Sequence, residues 1–156
     1  MSKKTDAVFT KMIDKYLINQ TLKLHYMKKQ VLLIDDNQSI STLIASLLRE
    51  EYDVTVKHNG LDAMLWLGQG HLPDVILADV AMPRLSGVEF INNLKASGFF
   101  CDVPILVLTD EDKTEMTIQC MNAGATDYIF KPFTPGELLD KVSKTTNYSE
   151  IYAYGN

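Results

Sequence analysis

Residues 75–79 read Val-Ile-Leu-Ala-Asp, four apolar residues in a row closed by a carboxylate. A run this short is a strand rather than a helix, and its lack of polar alternation marks a strand buried on both faces. Only a parallel sheet with helices above and below provides that burial. Four more candidate strands lie along the chain, Val31-Leu-Leu-Ile-Asp35, Val54-Thr-Val56, Ile105-Leu-Val-Leu-Thr109 and Tyr128-Ile-Phe130, and the first and third of these are as apolar as 75–79. Between the first two, Ile40, Leu43, Ile44, Leu47 and Leu48 repeat at the i, i+3, i+4, i+7, i+8 spacing of an amphipathic helix. Leu61, Met64 and Leu65 begin a second helix, with Asn59 placed to cap it. Ser86 and Glu89 form a capping box for a third, Asp112 followed by Glu115 is a start signal for a fourth, and Thr134, Pro135 and Glu137 set the fifth.

Five β-α units in about 125 residues predict an α/β, flavodoxin-like (βα)5 doubly wound parallel sheet with strand order 2-1-3-4-5, whose ligands sit at the carboxyl ends of the strands. The chain's 156 residues, 46% hydrophobic and 22% charged, fit one domain of this size. Cys101 and Cys120 are not needed as a disulfide staple at this length. No run of about 18 apolar residues is present and the first residues lack a secretory signal, so the sequence predicts a cytoplasmic protein.

The charge is divided unevenly. Residues 1–30 carry seven lysines and two aspartates, whereas the remainder carries eight basic and eighteen acidic residues. An acidic body is a poor platform for phosphate backbones, so no direct nucleic-acid contact is expected of it. The chain divides into a basic extension at 1–29, helical or disordered, a domain at 30–146 and a tail at 147–156. In the extension, Val8, Phe9, Met12, Ile13, Tyr16 and Leu17 fall at helical spacing with lysines between them. Such a helix suits an acidic membrane surface, the acidic body of the domain or a partner helix.

The predicted strand ends carry the chemistry. The first ends in Asp35-Asp36, the third in Asp79, the fourth in Thr109, and the fifth runs into Lys131-Pro132. Taken singly, each is explained as a helix cap, a turn residue or a solvated side chain. As a set they meet at one edge of the sheet, where three carboxylates in a partly desolvated cleft need a cation or a lysine to offset their repulsion. A few oxygen ligands with room for water suit Mg²⁺ or the similar Mn²⁺.

With these residues in place, the chain resembles the receiver domain of a bacterial two-component response regulator. The matching segments are LLIDDN at 32–37, PDVILADVAMPRLSG at 73–87, LVLTDEDKTE at 106–115 and AGATDYIFKPF at 123–133. The resemblance implies that Asp79 accepts a phosphoryl group from a phosphohistidine. It implies Asp36, Asp79 and the main-chain carbonyl of Ala81 as metal ligands, with Asp35 assisting. Thr109 matches the switch hydroxyl, Lys131 the phosphoryl partner, Tyr128 the aromatic that reports the switch, and Pro132 the family's cis proline. The implied partners are a sensor histidine kinase or histidine phosphotransfer protein and a downstream protein target. The target, or a second copy of the chain in a homodimer, would meet the face made by the fourth helix, fifth strand and fifth helix of the domain.

Three positions modulate this expectation. The family usually has a small residue where Asp110 stands, and a carboxylate there would repel an incoming phosphoryl group or compete for the metal or Lys131. In the family the positions of Ala81 and Glu111 flank the path of the hydrolytic water; Ala81 cannot hold a water whereas Glu111 can, so the resemblance implies an acyl phosphate of intermediate lifetime. Other chemistries fit less well. His25, His58 and His71 have no metal-ligand spacing, and Gly68-Gln-Gly70 makes no phosphate loop. A haloacid-dehalogenase-type phosphatase wants a second acid at Ala81, and a flavodoxin wants no acids where Asp35 and Asp36 stand. The expectation is a stand-alone receiver, a switch rather than a turnover enzyme. The alternative is a pseudo-receiver that binds proteins without being phosphorylated.

Overall fold

The computed structural model describes the backbone of residues 2–25 and 27–153, and side chains over 7–19 and 27–147. A helix, α1 (Ser2–His25), precedes five strands: β1 (Lys29–Ile34), β2 (Tyr52–Lys57), β3 (Val75–Asp79), β4 (Ile105–Asp110) and β5 (Asp127–Lys131). Five helices alternate with them: α2 (Gln38–Leu48), α3 (Gly60–Gly68), α4 (Gly87–Ala96), α5 (Thr114–Ala123) and α6 (Pro135–Ala153). The strands form one sheet in the order β2-β1-β3-β4-β5, every pair parallel, as the sequence pattern predicts.

Because successive strand residues point to opposite faces, the apolar runs divide between two cores. Leu32, Ile34, Ile76, Ala78, Ile105 and Val107 pack with Phe90, Leu94 and Cys120 beneath α3, α4 and α5. Val31, Leu33, Val75, Leu77, Leu106, Leu108 and Ile129 pack with Ile44, Leu48, Leu138 and Val142 beneath α2 and α6. This two-sided burial is why β3 reads VILAD without a polar residue before its end.

Several local expectations change in three dimensions. Leu43, at the edge of the predicted α2 stripe, is exposed, as are Leu61 and Leu65, so the buried seams of these helices are narrower than their apolar spacing. Asp112 caps no α-helix. A 3-10 turn at Glu111–Lys113 comes first, and α5 starts at Thr114 without a side-chain cap. That helix ends at Gly124, whose φ of 113° is the left-handed geometry a C-terminal cap requires, with its N–H bonded to the carbonyls of Cys120 and Met121. The last helix continues past 146 into the expected tail. Residues 2–25 are helical rather than disordered, and the described side chains at 7–19 are all exposed, including Phe9 and Tyr16. Among the described residues, no helix is long and apolar enough to cross a membrane.

Cys120 lies wholly buried on α5. Burial first, and the charge of Asp79 second, push its thiol up to about 11. Iodoacetamide should therefore modify only the half-buried Cys101 in the native protein and both cysteines in urea, as read by intact mass. Two adducts under native conditions would mean that α5 does not pack against the sheet as described.

Candidate functional site

The strand order places β1 between β2 and β3, so the chain reverses its winding there and a crevice opens at the carboxyl ends of β1 and β3. Alternation then decides which side chains face it together. On β1, β3 and β5 the residues following Leu33, Leu77 and Ile129 on the α2–α6 face are Asp35, Asp79 and Lys131. The Lys131 Nζ donates to Asp79 Oδ1 at 3.1 Å and lies 3.7 Å from Asp35 Oδ2. All three side chains are largely buried, with Asp35 fully enclosed and Asp36 exposed at the rim.

Local hydrogen bonds hold these groups. Asp35 Oδ1 accepts from the Asn37 N–H at 2.8 Å, while Asn37 caps α2 through the amides of Ser39 and Ile40. His58 Nδ1 lies 3.1 Å from the Asp35 carbonyl, bracing the β1 end from the β2–α3 loop. Beyond β5, the Lys131–Pro132 peptide is cis. Thr134 and Glu137 then make the expected capping box: Glu137 Oε2 accepts from the Thr134 N–H at 2.7 Å, and the Glu137 N–H reaches the Thr134 hydroxyl.

The electrostatics follow from burial. Desolvation raises the Asp79 carboxyl above its ordinary value; the Lys131 charge and hydrogen bond oppose this without cancelling it, and Asp35 adds to the rise. Burial alone would lower the Lys131 ammonium, but attraction to Asp79, the hydrogen bond, and then Asp35 and Asp110 outweigh it and hold its pKa above the usual value. One lysine thus stands against a site with more negative charge than it can offset.

The donors fit a hard divalent cation. Carboxylate oxygens from Asp35, Asp36 and Asp79 lie within 4.8 Å of one another. The Asp35 Oδ2 is buried with no hydrogen-bond partner, so one acceptor in the crevice is left for something outside the protein's own donors. Ala81 sits two residues past Asp79 in the same loop, half-buried. Gly87, where α4 starts, lies so close to that loop that a Cβ would stand 3.0 Å from the Asp79 carbonyl oxygen and from the Val80 Cα. This small residue sets the path of the metal-side loop, and sequence spacing alone did not mark it.

The remaining predicted residues fall in different surroundings. Thr109 is fully buried, but alternation along β4 assigns it with Ile105 and Val107 to the α3–α5 face. Its hydroxyl lies 2.7 Å from that of Thr117 on α5, a partner the sequence reading did not identify. A hydroxyl inside the sheet-facing stripe of α5 is the signal that would have found it. Asp110 is in register with Lys131 across β4 and β5, which explains how its charge reaches the lysine. It does not stand alone at the entrance, because Lys113 pairs with it at 3.2 Å. Glu111 is exposed in the 3-10 turn. Tyr128 is 37% exposed on the edge strand, edge-on to Phe130 with ring centroids 5.2 Å apart and with the Lys141 ammonium 5.8 Å from its ring centre.

A doubly wound sheet carrying a buried aspartate, two neighbouring carboxylates and a lysine at its switch point defines a class of domain with an acidic, cation-ready site at the strand ends. Sequence comparison matches residues 31–143 to the response regulator receiver domain family. The chain is 37% identical over 117 residues to response regulator MprA of Mycobacterium bovis, covering 74% of this chain and 50% of that protein. It superposes on chemotaxis response regulator CheY4 of Vibrio cholerae with a TM-score of 0.70 at 32% identity, covering 76% of this chain and 99% of the other. The receiver domain of sensor histidine kinase PA1611 from Pseudomonas aeruginosa, with a magnesium ion coordinated in its active site cleft, matches with a TM-score of 0.70 at 30% identity, covering 77% of this chain and 98% of that one. The chain belongs to the response regulator receiver family and is a receiver domain of a two-component system. It spans about half the length of the curated relatives it matches, so the activities of those whole proteins are not transferred to it.

Two outcomes test the site. Mg²⁺ at about ten times its dissociation constant should stabilise the native state by about 1.4 kcal/mol in thermal unfolding. Asp36→Ala should abolish that gain, and Gly87→Ala should shrink it because backbone cannot yield to the added methyl. An equal Mg²⁺ response in all three proteins would remove the metal from this cleft.

The Thr134 amide and hydroxyl hold the Glu137 carboxyl below its usual value. Its contribution to stability is therefore complete above the unfolded value near 4.3 and disappears as pH falls through the lower folded value. Glu137→Gln should lower the urea midpoint at pH 7, and the gap from the parent protein should close below about pH 4.

Proposed function

We propose that this receiver takes a phosphoryl group onto Asp79 from a phosphohistidine of a sensor kinase or histidine phosphotransfer protein, and changes its affinity for a protein target as a result. The observation that carries this is the Lys131–Asp79 pair at 3.1 Å, set in a buried crevice beside the two further acids Asp35 and Asp36. A carboxylate oxygen of Asp79 attacks phosphorus in line as the P–N bond breaks, and the bonding pair stays on the leaving imidazole nitrogen, which takes up a proton from solvent. Carboxylates are weak nucleophiles, so most of the rate comes from positioning and charge stabilisation.

A divalent cation held by Asp35, Asp36, Asp79 and the Ala81 carbonyl would supply positive charge to the phosphoryl oxygens when bound. Lys131 orients Asp79 beforehand, then moves its hydrogen bond to a phosphoryl oxygen. Thr109 donates its hydroxyl to another. The new group carries nearly two negative charges and three strong acceptors, enough to draw both side chains toward it.

The output is proposed at the face of α5, β5 and α6, where Tyr128 and Phe130 stand half-exposed on an edge strand between Asp127, Glu137 and Lys141. An aromatic pair ringed by charges suits a protein partner, or a second copy of the chain. In this role the chain catalyses only its own phosphorylation and dephosphorylation.

Intact-mass spectrometry after incubation with a phosphohistidine donor should show one phosphoryl adduct that requires Mg²⁺ and is absent in Asp79→Asn. Lys131→Ala should slow its appearance about a hundred-fold, in the range for loss of one charge-stabilising donor. Asp110→Ala should speed it. No adduct from any donor, even in Asp110→Ala, would replace this proposal with a phosphorylation-independent binding module.

A further inference from the structure

Thr117 is one of two buried residues on α5, the other being Cys120, and it is the only one of the two with a hydroxyl. It lies one turn beyond Lys113, and its Oγ1 is 2.9 Å from the Lys113 carbonyl and 2.7 Å from the Thr109 Oγ1. Each hydroxyl has a single hydrogen. Either hydroxyl can donate across the contact between them, but placing the Thr117 hydrogen on the Lys113 carbonyl, which can only accept, and the Thr109 hydrogen on Thr117 uses the two shorter contacts. The other acceptor near Thr109, the Asp110 carbonyl, is farther at 3.3 Å. Thr109 is fully buried and Thr117 nearly so, which shields the bond between them from water.

That hydrogen is the one a phosphoryl group on Asp79 would need. The alternation of β4 keeps Thr109 on the α3–α5 face, whereas Asp79 and Lys131 follow the α2–α6 face. Reaching the cleft therefore requires Thr109 to turn away from α5 and break its bond to Thr117.

Resting on the receiver function proposed above, we infer that Thr117 is a positioning residue, a latch that holds the Thr109 hydroxyl in the resting orientation and so sets how strongly a phosphoryl group must pull to switch the domain. When Thr109 leaves, the Thr117 hydrogen remains on the Lys113 carbonyl, so the cost of release is one neutral buried hydrogen bond. A bond of that kind corresponds to about a five-fold change in an equilibrium. Since a ligand shifts a two-state equilibrium only through its preference for one state, removing the latch raises the apparent affinity for any phosphoryl mimic by that factor.

The test uses the full chain with Thr117→Val and Thr117→Ala, which lack the hydroxyl, and Thr117→Ser, which keeps it. The first readout needs no ligand: three-bond NMR couplings report the Thr109 side-chain rotamer. One rotamer is expected in the parent and Thr117→Ser, and averaging between rotamers in Thr117→Val and Thr117→Ala. The second is titration with beryllium fluoride in Mg²⁺, a mimic of the aspartyl phosphate. Thr117→Val and Thr117→Ala should bind about five-fold tighter than the parent, Thr117→Ser within two-fold of it, and Mg²⁺ alone equally well throughout. In a Thr109→Val background the tightening by Thr117→Val should vanish, because the two changes remove the same bond.

A single Thr109 rotamer in Thr117→Val and Thr117→Ala, or equal tightening with and without the Thr109 hydroxyl, would overturn the latch. Failure of the parent to bind beryllium fluoride, with rotamer averaging still seen in the variants, would support the latch while counting against phosphorylation of Asp79.

Discussion

The ion pair between Lys131 and Asp79 spans the sheet from β5 to β3, across the intervening β4, and its 3.1 Å contact stands in a crevice that also buries Asp35. Burying two carboxylates with one ammonium, and a third carboxylate at the rim, is unfavourable by itself, since desolvation raises Asp79 and like charges repel. The rest of the domain is arranged so that this cluster persists. Two apolar layers clamp the strands from either side, and the caps on α2, α4 and α6 fix the loops that leave the strand ends. The destabilising negative charge is what leaves the site receptive to a cation.

The same alternation that builds the two cores separates the parts of the switch. Asp35, Asp79 and Lys131 share one face, where direct pairing is possible, and Thr109 belongs to the other, where its nearest hydroxyl is on α5. The acid and the lysine are joined, while the hydroxyl is bonded on the other side of the sheet. Asp110 adds a charge on the lysine's side through its register with Lys131, moderated by its pair with Lys113. Tyr128 and Phe130 lie half-exposed on the adjoining strand, edge-on to each other.

Much of this was legible before any coordinates. The uninterrupted run at 75–79 implied helices on both sides of a parallel sheet, and the placement of Asp35, Asp36, Asp79 and Lys131 at strand ends implied an acidic site. The failures share a cause. Leu43, Leu61 and Leu65 carry the right spacing yet face solvent, because spacing describes a helix surface and not how wide a seam its neighbours cover. Asp112 looks like a cap, but the chain first makes a 3-10 turn through it. Gly87 and Thr117 escaped notice because one matters through a close backbone approach and the other through a contact between two different elements.

By itself the sequence determined the alternation of strands and helices, the five ionic and hydroxyl groups of the site and the family to which they belong. These depend on local periodicity and on which residue ends each strand, both readable one segment at a time. Tertiary structure alone decided which of those groups touch: that Lys131 pairs with Asp79 while the Asp35 Oδ2 is left without a hydrogen bond, that Asp110 is tied to Lys113, and that Thr109 is held by Thr117. Such pairings depend on sheet register, twist and the height at which each helix packs, distances that arise only when segments far apart in the chain are brought together.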